Sequence, residues 1–124
     1  MFKLLQICLF SLGLFLGYTT FDPFISSIQT NQISELSTHF DDEISLTLGK
    51  QKGYYPRAKA EQAILIFLKD HPVQKAFIQS TGTKDNDQFA IGKMIDKSGK
   101  TFRLFMMGQE KNRKFVLLEL RFQE

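Results

Sequence analysis

Apolar positions along the chain change period several times, and each change marks an element. Phe21, Phe24, Ile25 and Ile28 share one helical face in a segment that Asp22 can cap and in which Pro23 takes the first helical position, where its missing N–H is not needed. Continuing that phase puts Gln32 on the apolar stripe, whereas Ile33, Leu36 and Phe40 lie on a rotated face. The helix therefore breaks near Thr30-Asn31, and a second short helix ends at about Phe40. Glu43 to Leu48, EISLTL, alternates at period two and predicts a strand; GKQKG follows as a turn, with Gly49 and Gly53 free to take unusual backbone angles.

Pro56 then opens a helix on which Ala60, Ala63, Ile64, Phe67 and Leu68 fall at helical spacing. Leu65 and Ile66 lie outside that stripe, so the second half of the helix is apolar nearly all round and is expected to be wrapped by other elements or a partner chain. His71 precedes Pro72, a position biased away from helical angles, and ends the helix. Strand patterns follow in KAFIQST, QFAIGKMID, TFRLFMMGQ and KFVLLELRF. GTKDND is a polar loop, and Ser98-Gly99 and Lys111-Asn112-Arg113 are hairpin turns.

The order is helix, helix, strand, helix, then four strands in a meander, which predicts an α+β domain with helices on one side of an antiparallel sheet. Read at period two, Phe102, Leu104 and Met106 face the same way as Val116, Leu118, Leu120 and Phe122. The opposite set pairs Arg103, Glu119 and Arg121 with Phe105, Met107, Phe115 and Leu117. Those last four form an apolar patch that the helices cannot also cover, and a homodimer through it is expected.

Before this domain, LLQICLFSLGLFLGY is an apolar run behind a single Lys3. It is short of the about 20 residues a membrane span requires, and reads as a signal peptide over residues 1–19, cut after Thr19, with one domain over 20–124. Cys8 lacks the small residue that precedes a lipid-attachment cysteine, so it leaves with the signal. The expected address is periplasmic or secreted, with membrane attachment only if the signal stays uncleaved. The remaining chain has no cysteine, so its core must hold it without disulfides. Sixteen Lys+Arg against 13 Asp+Glu give a formal +3, scattered along the chain, which excludes nucleic acid from the expected partners.

The element order resembles the nuclear transport factor 2-like superfamily, a cystatin-like α+β cone in which three helices pack in the concave face of a curved antiparallel sheet. More narrowly, ISSIQTNQISELSTHFDDEISLTL, YYPRAKAEQAILIFLKDHP and GTKDNDQFAIGKMIDKSGKTFRLFM are similar to exported Bacteroidota proteins grouped as domain of unknown function 4783. Tyr54, Ala60, Phe67, Gly82, Ile91-Gly92 and the final hairpin carry that resemblance. It implies a fold and an export route, and no activity.

An enzyme on such a cone, of the isomerase or dehydratase kind, needs a carboxylate or other base inside the cavity and a donor facing it. The predicted inward face carries neither. Lys93 shares a strand face with Phe89, Ile91 and Ile95, and a lysine desolvated in a cavity can act as base or nucleophile; one near a strand end more often extends to water. Tyr54 and Tyr55 point to opposite sides, so one of them at most enters the cone. Tyr54, Tyr55, Phe67 and Lys93 are thus the candidate pocket-lining residues, with no catalytic residue, cofactor or metal expected. His39, Asp41, Asp42 and Glu43 are adjacent in sequence, yet cation ligands must converge. The leading expectation is a non-catalytic module binding a protein or a small apolar ligand; the alternative is a small-molecule enzyme using the cone pocket.

Overall fold

The computed structural model describes residues 20–124, so the expected signal segment and its cut site lie outside the described residues. Three helices, α1 (Asp22–Gln29), α2 (Ile33–Ser37) and α3 (Arg57–Asp70), accompany six strands. The strands are β1 (Phe40–Gly49), β2 (Gln51–Pro56), β3 (Val73–Lys84), β4 (Asp87–Asp96), β5 (Thr101–Lys111) and β6 (Lys114–Gln123). They form one sheet in the order β2-β1-β6-β5-β4-β3. The expected meander is present as β3 to β6, but the sheet is mixed, because β1 joins it parallel to β6.

The helix boundaries follow from local chemistry. Phe21, rather than Asp22, is the N-cap residue of α1, and its carbonyl accepts from the N–H groups of Phe24 and Ile25. At the other end Asn31 adopts φ 58°, with its N–H on Ile28 O and the Gln32 N–H on Ser27 O. That pairing satisfies two end carbonyls through one left-handed residue. Pro56 stands as the N-cap of α3, still extended, and His71 is its C-cap.

One buried cluster lies between the helices and the sheet. Phe24, Ile28, Ile33, Leu36, Ala60, Ile64 and Leu68 meet Ile44, Leu46, Met94, Phe102, Leu104, Leu120 and Phe122. Leu65 and Ile66 are not wrapped as expected: they remain 40% and 65% exposed, because α3 faces the core with Ala60, Ala63, Ile64, Phe67 and Leu68.

Four strand assignments differ from the sequence reading, the first being β1, which begins at Phe40, where the sequence predicts the end of the second helix, and not at Glu43. Gln51 to Gly53, expected in a turn, pair with Leu48 to Leu46, leaving Gly49 (φ 65°) and Lys50 to make the bend. Gly82 to Lys84 pair with Phe89 to Asp87, so the expected loop shrinks to Asp85-Asn86. Both segments belong to edge strands, whose polar residues hide the alternation of a half-buried strand. In β6 the register shifts between Met107↔Glu119 and Gly108↔Leu117, a bulge that takes Leu118 out of the pairing. The bulge reverses the phase of the first half of β6, so Leu117 and Phe115, not Val116 and Leu118, turn toward the core.

Candidate functional site

The cone interior, the natural place for a pocket in an α+β cone, is occupied by side chains. Phe40, Phe102, Phe122, Met94, Leu104 and Met106 are among its largest fully buried groups. Of the four expected lining residues, Tyr55 and Phe67 point inward and pack against this core. Phe67 sets its ring 5.3 Å from Phe102 and 5.5 Å from Phe122. Tyr54 does not enter: it pairs with Ser45 on the outer side of edge strand β2 and is 67% exposed. Lys93 does not enter either, since Ala90, Gly92 and Met94 take the inward positions of β4 and leave Lys93 exposed on the outer face. One tyrosine inside and one outside is what alternation requires.

Among the described residues the buried polar side chains are Ser27, Ser37, Thr47 and Asp96. Asp96 closes the β4–β5 hairpin as an Asx turn, the chemistry that DKSG encodes. Its Oδ1 accepts the Ser98 hydroxyl at 2.6 Å, the Ser98 N–H at 3.0 Å and the Lys100 N–H at 2.9 Å. Its Oδ2 lies 3.1 Å from His71 Nδ1. The ionised carboxylate only accepts, so Nδ1 carries the hydrogen. The Ser98 hydroxyl contributes most to lowering the Asp96 pKa to about 2; burial opposes it, and the Lys100 N–H and the His71 ring add to the lowering.

A histidine on an aspartate is two-thirds of a nucleophilic triad, but here the neighbouring hydroxyl, Ser98, donates to the aspartate instead of to the imidazole. The His71 ring is held against Phe67 and Phe102, with centroids 4.8 and 5.0 Å away. The group is a clamp between the end of α3 and the β4–β5 turn. His71 is accordingly more than a helix terminator, and its partner Asp96 was signalled by its own turn motif.

The acidic run after α2 disperses. Asp41 pairs with Lys111 at 2.7 Å, Asp42 with Arg57 at 3.5 Å, and the His39 ring rests 5.0 Å from Phe24. Among the described residues no group of three or more His, Cys, Asp or Glu converges as a metal site would require.

Polar and apolar groups are brought together on the outer face of the sheet. Phe89, Ile91, Phe105 and Met107 form a half-buried apolar patch on β4 and β5, with the Phe89 and Phe105 rings stacked at 6.3 Å. The expected four-residue patch is halved: Phe105 and Met107 belong to it, whereas the β6 bulge commits Leu117 to the core and sets the Phe115 ring 5.5 Å from Phe21 and 5.9 Å from Phe24. Beside the patch lies a groove of about 840 Å³ lined by Thr47, Lys50, Lys52, Lys93, Arg103 and Arg121 among others.

A family model described as domain of unknown function (DUF4783) matches residues 21–123. Among solved structures, a DUF4783 family protein from Bacteroides uniformis ATCC 8492 is 19% identical with a TM-score of 0.78, over 86% of this chain and 97% of that one. One from Bacteroides ovatus ATCC 8483 is 20% identical with a TM-score of 0.74, over 81% and 90%. An uncharacterized protein with a cystatin-like fold from Caulobacter vibrioides is 14% identical with a TM-score of 0.59, over 79% of each chain. At such identities the likeness carries the fold, an α+β nuclear transport factor 2-like cone with a six-stranded curved sheet. No curated protein matches the chain.

Proposed function

The chain belongs to the family described as domain of unknown function (DUF4783), and from that premise we propose that it is an exported, non-catalytic binding module whose outer sheet face is the binding surface. One observation carries this reading: the buried acid Asp96 is engaged on both oxygens by hydrogen bonds from Ser98, Lys100 and His71. A general base needs a lone pair aimed at substrate, and Asp96 directs Oδ1 to the β4–β5 turn and Oδ2 to the His71 ring. Lys93, the other candidate base, is solvated on the outer face. Export is supported by the short apolar run before Thr20 behind Lys3.

A thermal-shift screen of the protein against metabolites tests the binding reading, since a ligand at 100 times its Kd stabilises by about 2.7 kcal/mol. Ligands that shift the melting temperature without being turned over are expected. Catalytic turnover lost on His71→Ala, in a variant that stays folded, would overturn it. The intact mass of the protein recovered from its host tests export: loss of about 19 residues is expected, in line with the length of an export signal, and an unprocessed chain would sink the cleaved-signal reading.

A further inference from the structure

The outer face concentrates positive charge in a way the sheet itself does not need. Lys93 on β4 and Arg103 on β5 are cross-strand partners, and both are exposed. Like charges directly opposite on neighbouring strands destabilise a sheet. Arg121 on β6 lies beside Thr47 of β1, which in turn pairs with Lys52 of β2, so cations recur from one side of the sheet to the other. With Lys50 these residues give the groove five cations, against the carboxylate of Glu124, which pairs with Lys50 and Lys100 at the rim. Glu119 also pairs with Arg121, so the groove region carries five cations against two carboxylates, a surplus as large as the +3 of the whole chain.

The groove is also shaped. It runs into a second depression of about 420 Å³ that shares Lys93, Arg103 and Arg121 and includes Ile91 and Phe105. Arg121 is fixed there, with its guanidinium 4.6 Å over the Phe105 ring and its Nε donating to Glu119. Low-dielectric walls beside one sign of charge focus the field on whatever anion enters. β4 and β6 are two strand spacings apart, roughly 10 Å.

We propose that this groove binds a soluble organic anion carrying two or more carboxylate, sulfate or phosphate groups. Lys93 and Arg103 grip one such group, Arg121 and Lys52 the other, and the carbon skeleton rests toward Ile91 and Phe105. The ligand relieves the Lys93–Arg103 repulsion, so binding and local stability rise together. This deepens the binding-module reading and rests on it.

Isothermal titration of the full chain with citrate and with fructose 1,6-bisphosphate, at fixed ionic strength, tests the proposal. The comparison sets wild type beside Lys93→Gln/Arg103→Gln and beside Lys59→Gln/Lys69→Gln, which removes the same charge from α3. Saturable binding is expected, weakened about tenfold or more in the groove variant, as loss of a charge-assisted hydrogen bond implies, and by less than about twofold in the α3 variant. Circular dichroism of the groove variant is expected to match wild type. Equal weakening in both variants would reduce the effect to net charge and overturn the groove. So would binding to anionic phosphatidylglycerol vesicles, or to an acidic protein, with neither soluble anion bound. If a ligand from the thermal-shift screen binds undisturbed by the groove variant, the groove fails while the binding-module reading stands; turnover lost on His71→Ala fails that reading by itself.

Discussion

Gln29 completes the hydrogen bonding of the edge strand at Ala76, its Oε1 accepting the Ala76 N–H at 2.7 Å while its Nε2 donates to Gln74 O at 3.1 Å. The carboxamide acts as a one-residue neighbouring strand, and it ties the end of α1 to β3 where that strand is irregular between Val73 and Lys75. Gln29→Ala leaves the buried Ala76 without that partner, and a loss of about 1–3 kcal/mol is expected. Urea unfolding monitored by circular dichroism measures it. An unchanged midpoint would mean that water replaces the amide at no cost.

Two glycines of the β3–β4 pairing differ in their tolerance of a side chain. A Cβ at Gly92 would stand 2.1 Å from the backbone oxygen of Phe77, whereas one at Gly82 would meet the far end of the Phe89 ring at 2.5 Å. Both contacts lie in the β3–β4 pairing, but hydrogen-bonded ladder backbone yields less readily than a half-buried ring can swing. Gly92→Ala is therefore expected to destabilise by about 3 kcal/mol and Gly82→Ala by about 1 kcal/mol, as overpacked cores and relaxed contacts respectively do. Denaturation midpoints that rank the two variants in the opposite order would place the rigid contact elsewhere.

Asp96 gives the fold a dependence on acid. Its folded pKa of about 2 lies below the about 3.9 of an unfolded aspartate, so the unfolded chain binds the proton more readily. The stabilisation is present above about pH 4 and is lost as the pH falls toward 2. Asp96→Asn replaces an acceptor of four contacts by a carboxamide that accepts on one atom alone, so it is expected to lower stability at neutral pH and to flatten the curve between pH 4 and 2. Denaturant midpoints across that range decide it; parallel curves for the two proteins would assign the acid sensitivity to other carboxylates such as Asp41 and Glu124, whose lysine partners also lower their pKa values.

How far the sequence could be read depended on whether a residue's partner is local. The helices, the β3 to β6 meander and the break at Asn31 are visible because apolar spacing and capping chemistry are short-range properties. The parallel β1–β6 pairing is invisible to periodicity, since β1 and β6 are neighbours in the sheet but far apart in the sequence. Edge residues such as Lys52 and Thr83 read as loop because one flank of an edge strand is water. The site residues divide in the same way: alternation alone separated Tyr54 from Tyr55, while the cluster of Lys52, Lys93, Arg103 and Arg121 forms only when four separate strands align.

The β6 bulge changes which residues can test self-association. An unbroken alternation puts Phe115 and Leu117 on the outer face, where charge would disrupt a dimer and spare the fold; the bulge places Leu117 in the core at 0% exposure and leaves Met107 outside, opposite Glu119. Leu117→Asp buries an unpaired carboxylate and is expected to cost about 4 kcal/mol or more, unfolding the domain instead of dissociating it. Met107→Lys sets a cation across from Glu119 and is expected to keep the fold within about 1 kcal/mol of wild type. If copies pair through the Phe89-Phe105-Met107 patch, Met107→Lys converts a dimer to a monomer in light scattering while circular dichroism stays unchanged. A wild-type protein already monomeric at high concentration, or a Met107→Lys variant that stays dimeric, would sink that mode of self-association.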